Sequence, residues 1–189
     1  MSTDGYTPRT IDSGAVCLYF DEDTTATVRN IWARIAGAGI SSEMPDAGWR
    51  PHITLAGCHD LRLSDYIPAL QEFASGIEPL EVSFFSIGFF GGSRHTLFLM
   101  PTVTRELLDL HARHDRLASQ HCSAVSPHYT PGGWVPHCML ALNLSARELA
   151  QAVTHTADWG MPIKCGLEAV GVVRVTRPTV EEMCLFRLG

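Results

Sequence analysis

One eight-residue phrase occurs twice in the sequence, as WRPHITLA in Trp49–Ala56 and as WVPHCMLA in Trp134–Ala141. Both copies fit the pattern W-x-P-H-x-x-L-A, and their histidines, His52 and His137, lie 85 positions apart (137 minus 52). A repeat of this length is too long for a solenoid, whose units run to about 20–50 residues. The doubled phrase therefore predicts a duplicated unit that carries one histidine in each copy.

Each copy of the phrase has the composition of a strand with one polar and one apolar face. Alternate side chains of a strand share a face, so the histidine lies beside the residue two places later. These pairs are His52 with Thr54 and His137 with Met139. The residues between them are apolar and are expected to face the helices. If a pseudo-twofold axis relates the copies, the two histidines meet across one cleft.

The segments around the two phrases follow the same order in both halves of the chain: strand, helix, motif strand, helix, strand. Helix starts are predicted at Thr24 or Thr25, at Ser64, and at Ser145, where Glu148 completes a capping box. The strand predicted over 80–90 changes phase after Phe84, which indicates a β-bulge. The glycines that follow at 91 and 92 are typical of a hairpin turn into the strand at 95–100.

This order predicts an α+β fold, duplicated as two lobes, with antiparallel or mixed sheets around a central cleft and helices outside. Residues 1–14 are polar and turn-rich, and are predicted to form a loose N-terminal segment. Residues 15–189 are predicted to form one domain, in which the pseudo-repeats run over approximately 15–90 and 95–189.

The composition excludes several classes of protein. The 189 residues carry a net charge of −6, and Lys164 is the only lysine, so tight binding to long nucleic acid is not expected. The longest apolar runs, at 15–20 and 95–101, are too short to span a membrane, and the N-terminus lacks the pattern of a secretory signal. We predict a cytoplasmic protein that acts as a monomer.

The six cysteines show no C-x-x-C motif and no tight cluster; they are Cys17, Cys58, Cys122, Cys138, Cys165 and Cys184. Since no secretory signal is present, all six are predicted to be reduced thiols. No third ligand follows at a regular spacing from the pairs that resemble metal ligands: His111/His114, Cys58/His59 and His121/Cys122. No metal site and no cofactor are predicted.

Two facing imidazoles form an acid–base pair that suits the chemistry of phosphate esters. One neutral ring accepts a proton from the attacking oxygen, and the other, protonated, donates to the departing oxygen. The hydroxyl of Thr54 is placed to donate to a non-bridging phosphate oxygen. Such a pair predicts a bell-shaped pH profile centred near the ordinary imidazole pKa of about 6.5, and it requires no metal.

With these two motifs in a duplicated frame, the chain resembles the 2H phosphoesterases, which include the 2′-5′ RNA ligases and cyclic nucleotide phosphodiesterases. Their signature is a doubled H-x-[T/S]-x, usually with a preceding proline and a following leucine. The segment PHITL at 51–55 matches in full, and PHCML at 136–140 matches except at the hydroxyl. The resemblance covers roughly residues 15–188. It implies hydrolysis of 2′,3′-cyclic phosphates or related small nucleotide or RNA-end phosphodiesters, with His52 and His137 as the catalytic residues.

Met139 departs from the motif because its thioether cannot donate a hydrogen bond. In the second motif, phosphate is then expected to bind to the backbone N–H near Met139. Asn143 is a second possible donor if the strand extends that far. Alternatively, Met139 widens the groove for an apolar or base-like part of the substrate. This departure keeps a second function open, a nucleotide- or RNA-end-binding module with weakened catalysis. A metal-dependent hydrolase is a distant third.

Three further residues are predicted to contact the substrate. Tyr129 lies in the loop before the second motif, where its ring could stack on a base. Arg94 and His95 are expected to border the same cleft and to contact phosphate or sugar.

Overall fold

The computed structural model describes residues 10–189. The strands are β1 (Ile11–Phe20), β2 (His52–Leu61), β3 (Leu80–Phe90), β4 (His95–Pro101), β5 (Ala124–Val125), β6 (Cys138–Leu144), β7 (Ile163–Thr176) and β8 (Thr179–Arg187). The helices are α1 (Glu22–Gly37), α2 (Glu43–Asp46), α3 (Leu63–Ser75), α4 (Arg105–His121) and α5 (Ala146–Thr156), with a 3₁₀ turn at Pro127–Tyr129.

Among residues 10–189 all strand pairs are antiparallel, and the strands form one eight-stranded sheet in the order β5-β2-β1-β7-β3-β4-β6, with β8 paired to β7. One half of the sheet has the strand order β2-β1-β7, and the other half, counted inward from the opposite edge, has the order β6-β4-β3. The two halves therefore correspond strand for strand. A pseudo-twofold axis therefore lies between β7 and β3, and it exchanges the two motif strands β2 and β6. The prediction of a duplicated α+β fold with an antiparallel sheet is confirmed.

The two halves of the sequence are interleaved across this axis. Strand β7 from the second half pairs with β1 of the first, while β3 of the first half pairs with β4 of the second. Helix α1 packs on β6, and its counterpart α4 packs on β2. The lobes therefore do not coincide with the pseudo-repeats 15–90 and 95–189, because each motif strand is covered by a helix from the other repeat.

The side chains of β1 show how the sheet separates its two faces. Leu18 and Phe20 belong to the main core beneath the helices. Cys17 and Tyr19 point the other way and form a smaller buried cluster with Ala169 of β7 and its neighbours. Because β2 pairs with β1, with Tyr19 opposite His52, this smaller cluster lies beside the first histidine.

Several local predictions are confirmed and several boundaries differ. The capping box of Ser145 and Glu148 is present, β3 and β4 form the predicted hairpin, and their register shifts after Phe84. Strand β1 begins at Ile11, so it overlaps the predicted loose segment 1–14 by four residues (11–14). Residues 1–9 of that segment lie outside the described residues.

Two predicted helix caps are wrong. Helix α1 is capped by Asp21, whose carboxylate accepts a hydrogen bond from the Thr24 N–H at 2.6 Å. The carboxylate also accepts from the Gly166 N–H of β7, so a longer-range contact selects it over the threonines. Helix α3 begins one residue before Ser64 and has no side-chain cap.

The prediction that all six cysteines are reduced is also wrong. Cys58 of β2 is paired with Cys122 at the end of α4 as a disulfide, with a Cα–Cα distance of 5.7 Å. That distance is within the range for a bridge. The two residues are 64 positions apart in sequence, and the packing of α4 on β2 brings them together. No helix within residues 10–189 has the length and apolar character needed to cross a membrane.

Candidate functional site

The two histidines of the doubled phrase occupy equivalent places, His52 at the first position of β2 and His137 immediately before β6. These strands lie near opposite ends of the sheet order, but the sheet curves so that they contact each other. The indole Nε1–H of Trp134 donates to the Thr54 carbonyl oxygen at 2.9 Å and thus joins the second phrase to the first. The rings of His52 and His137 are near enough for His137 to lower the pKa of His52.

Both histidine rings are anchored in the same way. The Nδ1 of His52 lies 2.7 Å from the Arg50 carbonyl oxygen, and the Nδ1 of His137 lies 2.7 Å from the Val135 carbonyl oxygen. A carbonyl oxygen can only accept, so the hydrogen of each neutral ring must be on Nδ1. The Nε2 atom of each ring is then free to accept or to carry a second proton. This is the tautomer that an acid–base pair requires.

Aromatic side chains fix the planes of both rings. Trp49 stacks on His52 with a centroid distance of 4.8 Å and an interplanar angle of 26°. Phe90 and Phe98 contact His137 at 5.1 and 5.0 Å. The sequence offered no signal for Phe90 and Phe98, since they belong to β3 and β4 and reach His137 only through the pairing of β3 with β4 and of β4 with β6.

Burial changes the pKa values of both histidines. It lowers the pKa of His52 to about 4, with a further lowering from His137, although the bond to the Arg50 carbonyl opposes the shift. Burial also lowers the pKa of His137 from its ordinary value, against the opposing bond to Val135. Both rings are therefore neutral at pH 7 in the free protein. The expectation of a profile centred near 6.5 took no account of this burial.

The hydroxyl of Thr54 lies in a small polar cluster at the floor of the site. It contacts the thiol of Cys17 and the hydroxyl of Tyr129, and these contacts lower the pKa of Cys17 and of Tyr129. Burial has the larger and opposite effect, and it raises the pKa of Cys17 to about 12. The Tyr129 ring also packs over Gly57, where an added Cβ would lie 3.4 Å from the ring. The structure thus places Tyr129 beside the first motif.

Arg94 and His95 lie elsewhere. Arg94 forms an exposed ion pair with Glu148 at 3.9 Å. The His95 ring contacts Phe89, whereas Phe90, the next residue of β3, contacts His137. Consecutive strand residues point to opposite faces, so His95 is on the face away from His137. The structure does not bring these two residues into the site.

Met139 and Asn143 are both engaged by groups from other elements. The Met139 carbonyl oxygen accepts a hydrogen bond from the Trp32 indole at 2.9 Å. The Asn143 amide donates to both carboxylate oxygens of Glu43, at 3.0 and 2.9 Å. Asn143 therefore does not replace the missing hydroxyl of the second motif, contrary to the expectation from the sequence.

The remaining histidines of α4 have structural contacts. His111 stacks on Trp134 at 3.9 Å and bonds to the Tyr129 carbonyl oxygen, so it supports the loop before the second motif. His114 is fully buried and hydrogen-bonded to Tyr66. Within residues 10–189, no three His, Cys, Asp or Glu side chains are grouped so that they could hold a metal ion.

Comparison with known proteins identifies the family of the chain. The family model described as the 2′-5′ RNA ligase superfamily matches residues 27–179. The chain belongs to this superfamily. The resemblance to the 2H phosphoesterases inferred from the doubled motif is confirmed. A sequence comparison with curated proteins gives no match.

Several solved structures share the fold at low identity. TT0787 of Thermus thermophilus is 17% identical with a TM-score of 0.60, covering 93% of this chain and 97% of its own. E. coli LigT complexed with 3′-AMP is 15% identical with a TM-score of 0.58, covering 96% and 99%. Kluyveromyces marxianus Usb1 is 9% identical with a TM-score of 0.50, covering 93% and 99%.

A pair of indole hydrogen bonds supports the two motif strands of this member of the 2′-5′ RNA ligase superfamily. Thr54 and Met139 occupy equivalent places in the two motifs, and the carbonyl oxygen of each accepts an indole N–H at 2.9 Å. The donors are Trp134 for Thr54 and Trp32 for Met139. Each bond holds a motif strand two residues away from its histidine, and each crosses between the two repeats.

Replacing either indole by a phenyl ring removes the N–H and leaves most of the apolar surface. We expect Trp32→Phe and Trp134→Phe each to lower kcat about 3–30-fold with a smaller change in KM, because the histidine shifts from its reactive position. Loss of the bond should also cost about 1 kcal/mol of unfolding free energy. Trp159→Phe is the matched control, since this half-buried indole packs against the core and Arg34 but has no hydrogen-bond partner among the described residues. A kcat within twofold of wild type in both variants would contradict the positioning role.

Proposed function

We propose that the protein is a metal-independent phosphodiesterase that acts on 2′,3′-cyclic phosphates or related small nucleotide or RNA-end phosphodiesters. The observation that carries the proposal is the matched anchoring of His52 and His137, which leaves both Nε2 atoms free. The proposal includes the sequence-based predictions that the protein acts as a monomer in the cytoplasm and needs no cofactor. The net charge of −6 favours a small ligand over a long nucleic acid.

The burial of the two rings supports a division of roles. His52 has the more deeply buried ring and a pKa of about 4, so it is neutral over most of the pH range and acts as the general base. It removes a proton from water as the water oxygen attacks phosphorus. His137 acts as the general acid and gives its proton to the departing ribose oxygen as the P–O bond breaks. The product is a phosphomonoester, and the proton on His52 returns to His137 through solvent.

Thr54 contributes the hydrogen bond to the developing phosphate charge. Its hydroxyl lies on the His52 side of the site, next to Tyr129. A preorganised donor of this kind is worth about 10²–10³ in rate at comparable sites. Met139 supplies no second side-chain donor, so this protein is expected to be slower than a relative with two hydroxyls.

The absence of a side-chain donor at Met139 also supports a second candidate function. A module that binds a nucleotide or an RNA end, and has weakened catalysis, would keep the two anchored histidines and tolerate Met139. Binding of a 2′,3′-cyclic nucleotide without turnover would favour this second candidate.

Substitution of the histidines tests the proposed chemistry. We expect His52→Ala and His137→Ala each to lower the turnover of a 2′,3′-cyclic nucleotide at least about 10²-fold, as positioned acid–base groups typically contribute 10²–10⁴. His95→Ala is the matched control and should retain activity, since this ring lies on the other face of the sheet. The assay should contain EDTA throughout. A wild-type rate in either variant, or loss of wild-type activity in EDTA with recovery on addition of zinc, would overturn the mechanism.

The lowered pKa values predict the pH dependence. The base must be unprotonated, so activity should rise through the pKa of His52 near 4. The acid must be protonated, and because the pKa of His137 is lowered below 6.5, kcat/KM should fall as the pH rises toward 7. Bound phosphate raises both pKa values, so the profile of kcat should lie at higher pH than that of kcat/KM. A maximum of kcat/KM at or above pH 7 would exclude this assignment.

A further inference from the structure

Both polar groups of Thr54 are held by side chains from the other repeat. The indole Nε1–H of Trp134 donates to the Thr54 carbonyl oxygen at 2.9 Å, and the Tyr129 hydroxyl contacts the Thr54 hydroxyl. His111 connects the two holding residues. Its ring stacks on Trp134 at 3.9 Å, and its Nε2 atom lies 2.9 Å from the Tyr129 carbonyl oxygen. The four residues therefore form a closed circuit of contacts that restricts the motion of Thr54.

The loop that carries Tyr129 is fixed to the first motif strand. The Ser126 N–H donates to the Gly57 carbonyl oxygen of β2 at 2.8 Å, and the Tyr129 N–H donates to the Ser126 carbonyl oxygen at 2.9 Å. Gly133 permits the close return of this loop, since a Cβ at that position would lie 2.7 Å from the Pro127 carbonyl oxygen. The Tyr129 ring is thus held against β2 from both its backbone and its packing on Gly57.

The equivalent pair in the other half of the site is wholly apolar. Met139 stands in the place of Thr54, and Met44 stands in the place of Tyr129, since Met44 and Tyr129 each precede the tryptophan of the next phrase by five residues. Helix α2, which carries Met44, packs on β6, just as the 3₁₀ turn that carries Tyr129 packs on β2. One half therefore has two hydroxyls and the other has two thioethers. This joint difference is expected if Thr54 and Tyr129 act as a unit.

The hydrogen atoms of this cluster can be assigned from its donors and acceptors. The Thr54 hydroxyl has one hydrogen and two lone pairs. Burial raises the pKa of Tyr129 above its ordinary value and raises the pKa of Cys17 to about 12, so both groups keep their hydrogens near pH 7. When both donate to the Thr54 oxygen, its lone pairs are occupied. The single Thr54 hydrogen is then left for an acceptor in the cleft, on the strand face that carries His52.

We propose that Tyr129 is a positioning residue for Thr54. The Tyr129 hydroxyl donates to the Thr54 oxygen and thereby directs the Thr54 hydrogen toward the phosphate, while His111 and Trp134 hold the arrangement in place. Without the Tyr129 hydroxyl, the Thr54 hydroxyl can rotate and direct its hydrogen away from the phosphate. This inference rests on the proposed function, in which Thr54 donates to the developing phosphate charge.

A double-mutant cycle on kcat and KM for a 2′,3′-cyclic nucleotide tests the positioning role. Thr54→Val removes the hydroxyl that donates, and Tyr129→Phe removes only the hydroxyl that orients it. We expect Thr54→Val to lower kcat about 10²-fold. Tyr129→Phe should lower kcat about 3–10-fold, the contribution of one hydrogen bond between neutral groups, with a smaller change in KM. The double variant should have the kcat of Thr54→Val alone, because Tyr129 then has no hydroxyl to orient.

Tyr66→Phe is the matched control. It removes a buried phenolic hydroxyl that is bonded to His114 at 2.6 Å in the core between α3 and α4. This variant should leave kcat within about twofold, both alone and combined with Thr54→Val. Thr54→Ser keeps a hydroxyl at the site, so Tyr129→Phe should still lower kcat in that background. Thermal unfolding of each variant confirms that it is folded.

The outcomes separate the positioning role from the proposed function. A wild-type kcat in Tyr129→Phe or in Thr54→Val, or an equal effect of Tyr129→Phe with and without the Thr54 hydroxyl, would overturn the positioning role and leave the phosphodiesterase activity standing. If the wild-type protein does not turn over the nucleotide, the proposed function fails. The positioning role is then decided by the dissociation constants of inorganic phosphate in the same four proteins. Non-additive weakening would support it, and additive or absent weakening would overturn it.

Discussion

The hydrogen bond from each histidine Nδ1–H to the carbonyl oxygen two residues earlier is the contact on which the site depends. It fixes the tautomer of His52 and His137 and leaves each Nε2 free. The proline before each histidine favours this contact, because the residue that precedes a proline is held in an extended conformation. Without this anchor, either nitrogen of each neutral imidazole could face the cleft, and the closeness of the two rings alone would not define an acid and a base.

Duplication supplies two such anchors, and the interleaved fold makes each depend on the other repeat. Helices α1 and α4 cross the pseudo-twofold axis, and the indoles of Trp32 and Trp134 hold equivalent carbonyl oxygens in β6 and β2. The symmetry is incomplete. Trp49, the equivalent of Trp134, stacks on its own histidine instead. This difference gives the two sides of the site distinct environments, as separate acid and base roles require.

Structural features that depend on a local pattern or on a repeated motif could be predicted from the sequence. The duplicated α+β fold, the capping box at Ser145 and the bulge after Phe84 all follow from short stretches of residues. Contacts between distant segments could not be predicted in this way. Strand register places His95 on the face away from the cleft, and the packing of α4 on β2 pairs Cys58 with Cys122. The lowered pKa values of the two histidines likewise arise from burial, which depends on how distant segments pack, as Phe90 and Phe98 pack on His137.

The most direct test of this account is the protonation state of the two imidazoles, measured by ¹⁵N NMR of the histidine rings as a function of pH. The account predicts that His52 and His137 are both in the Nδ1–H tautomer at pH 7. It also predicts that both titrate below 6.5, His52 at the lower pH. His52→Ala and His137→Ala samples assign the signals. An Nε2–H tautomer for either ring, or titration of both rings near or above 6.5, would contradict the anchored pair on which the proposed function depends.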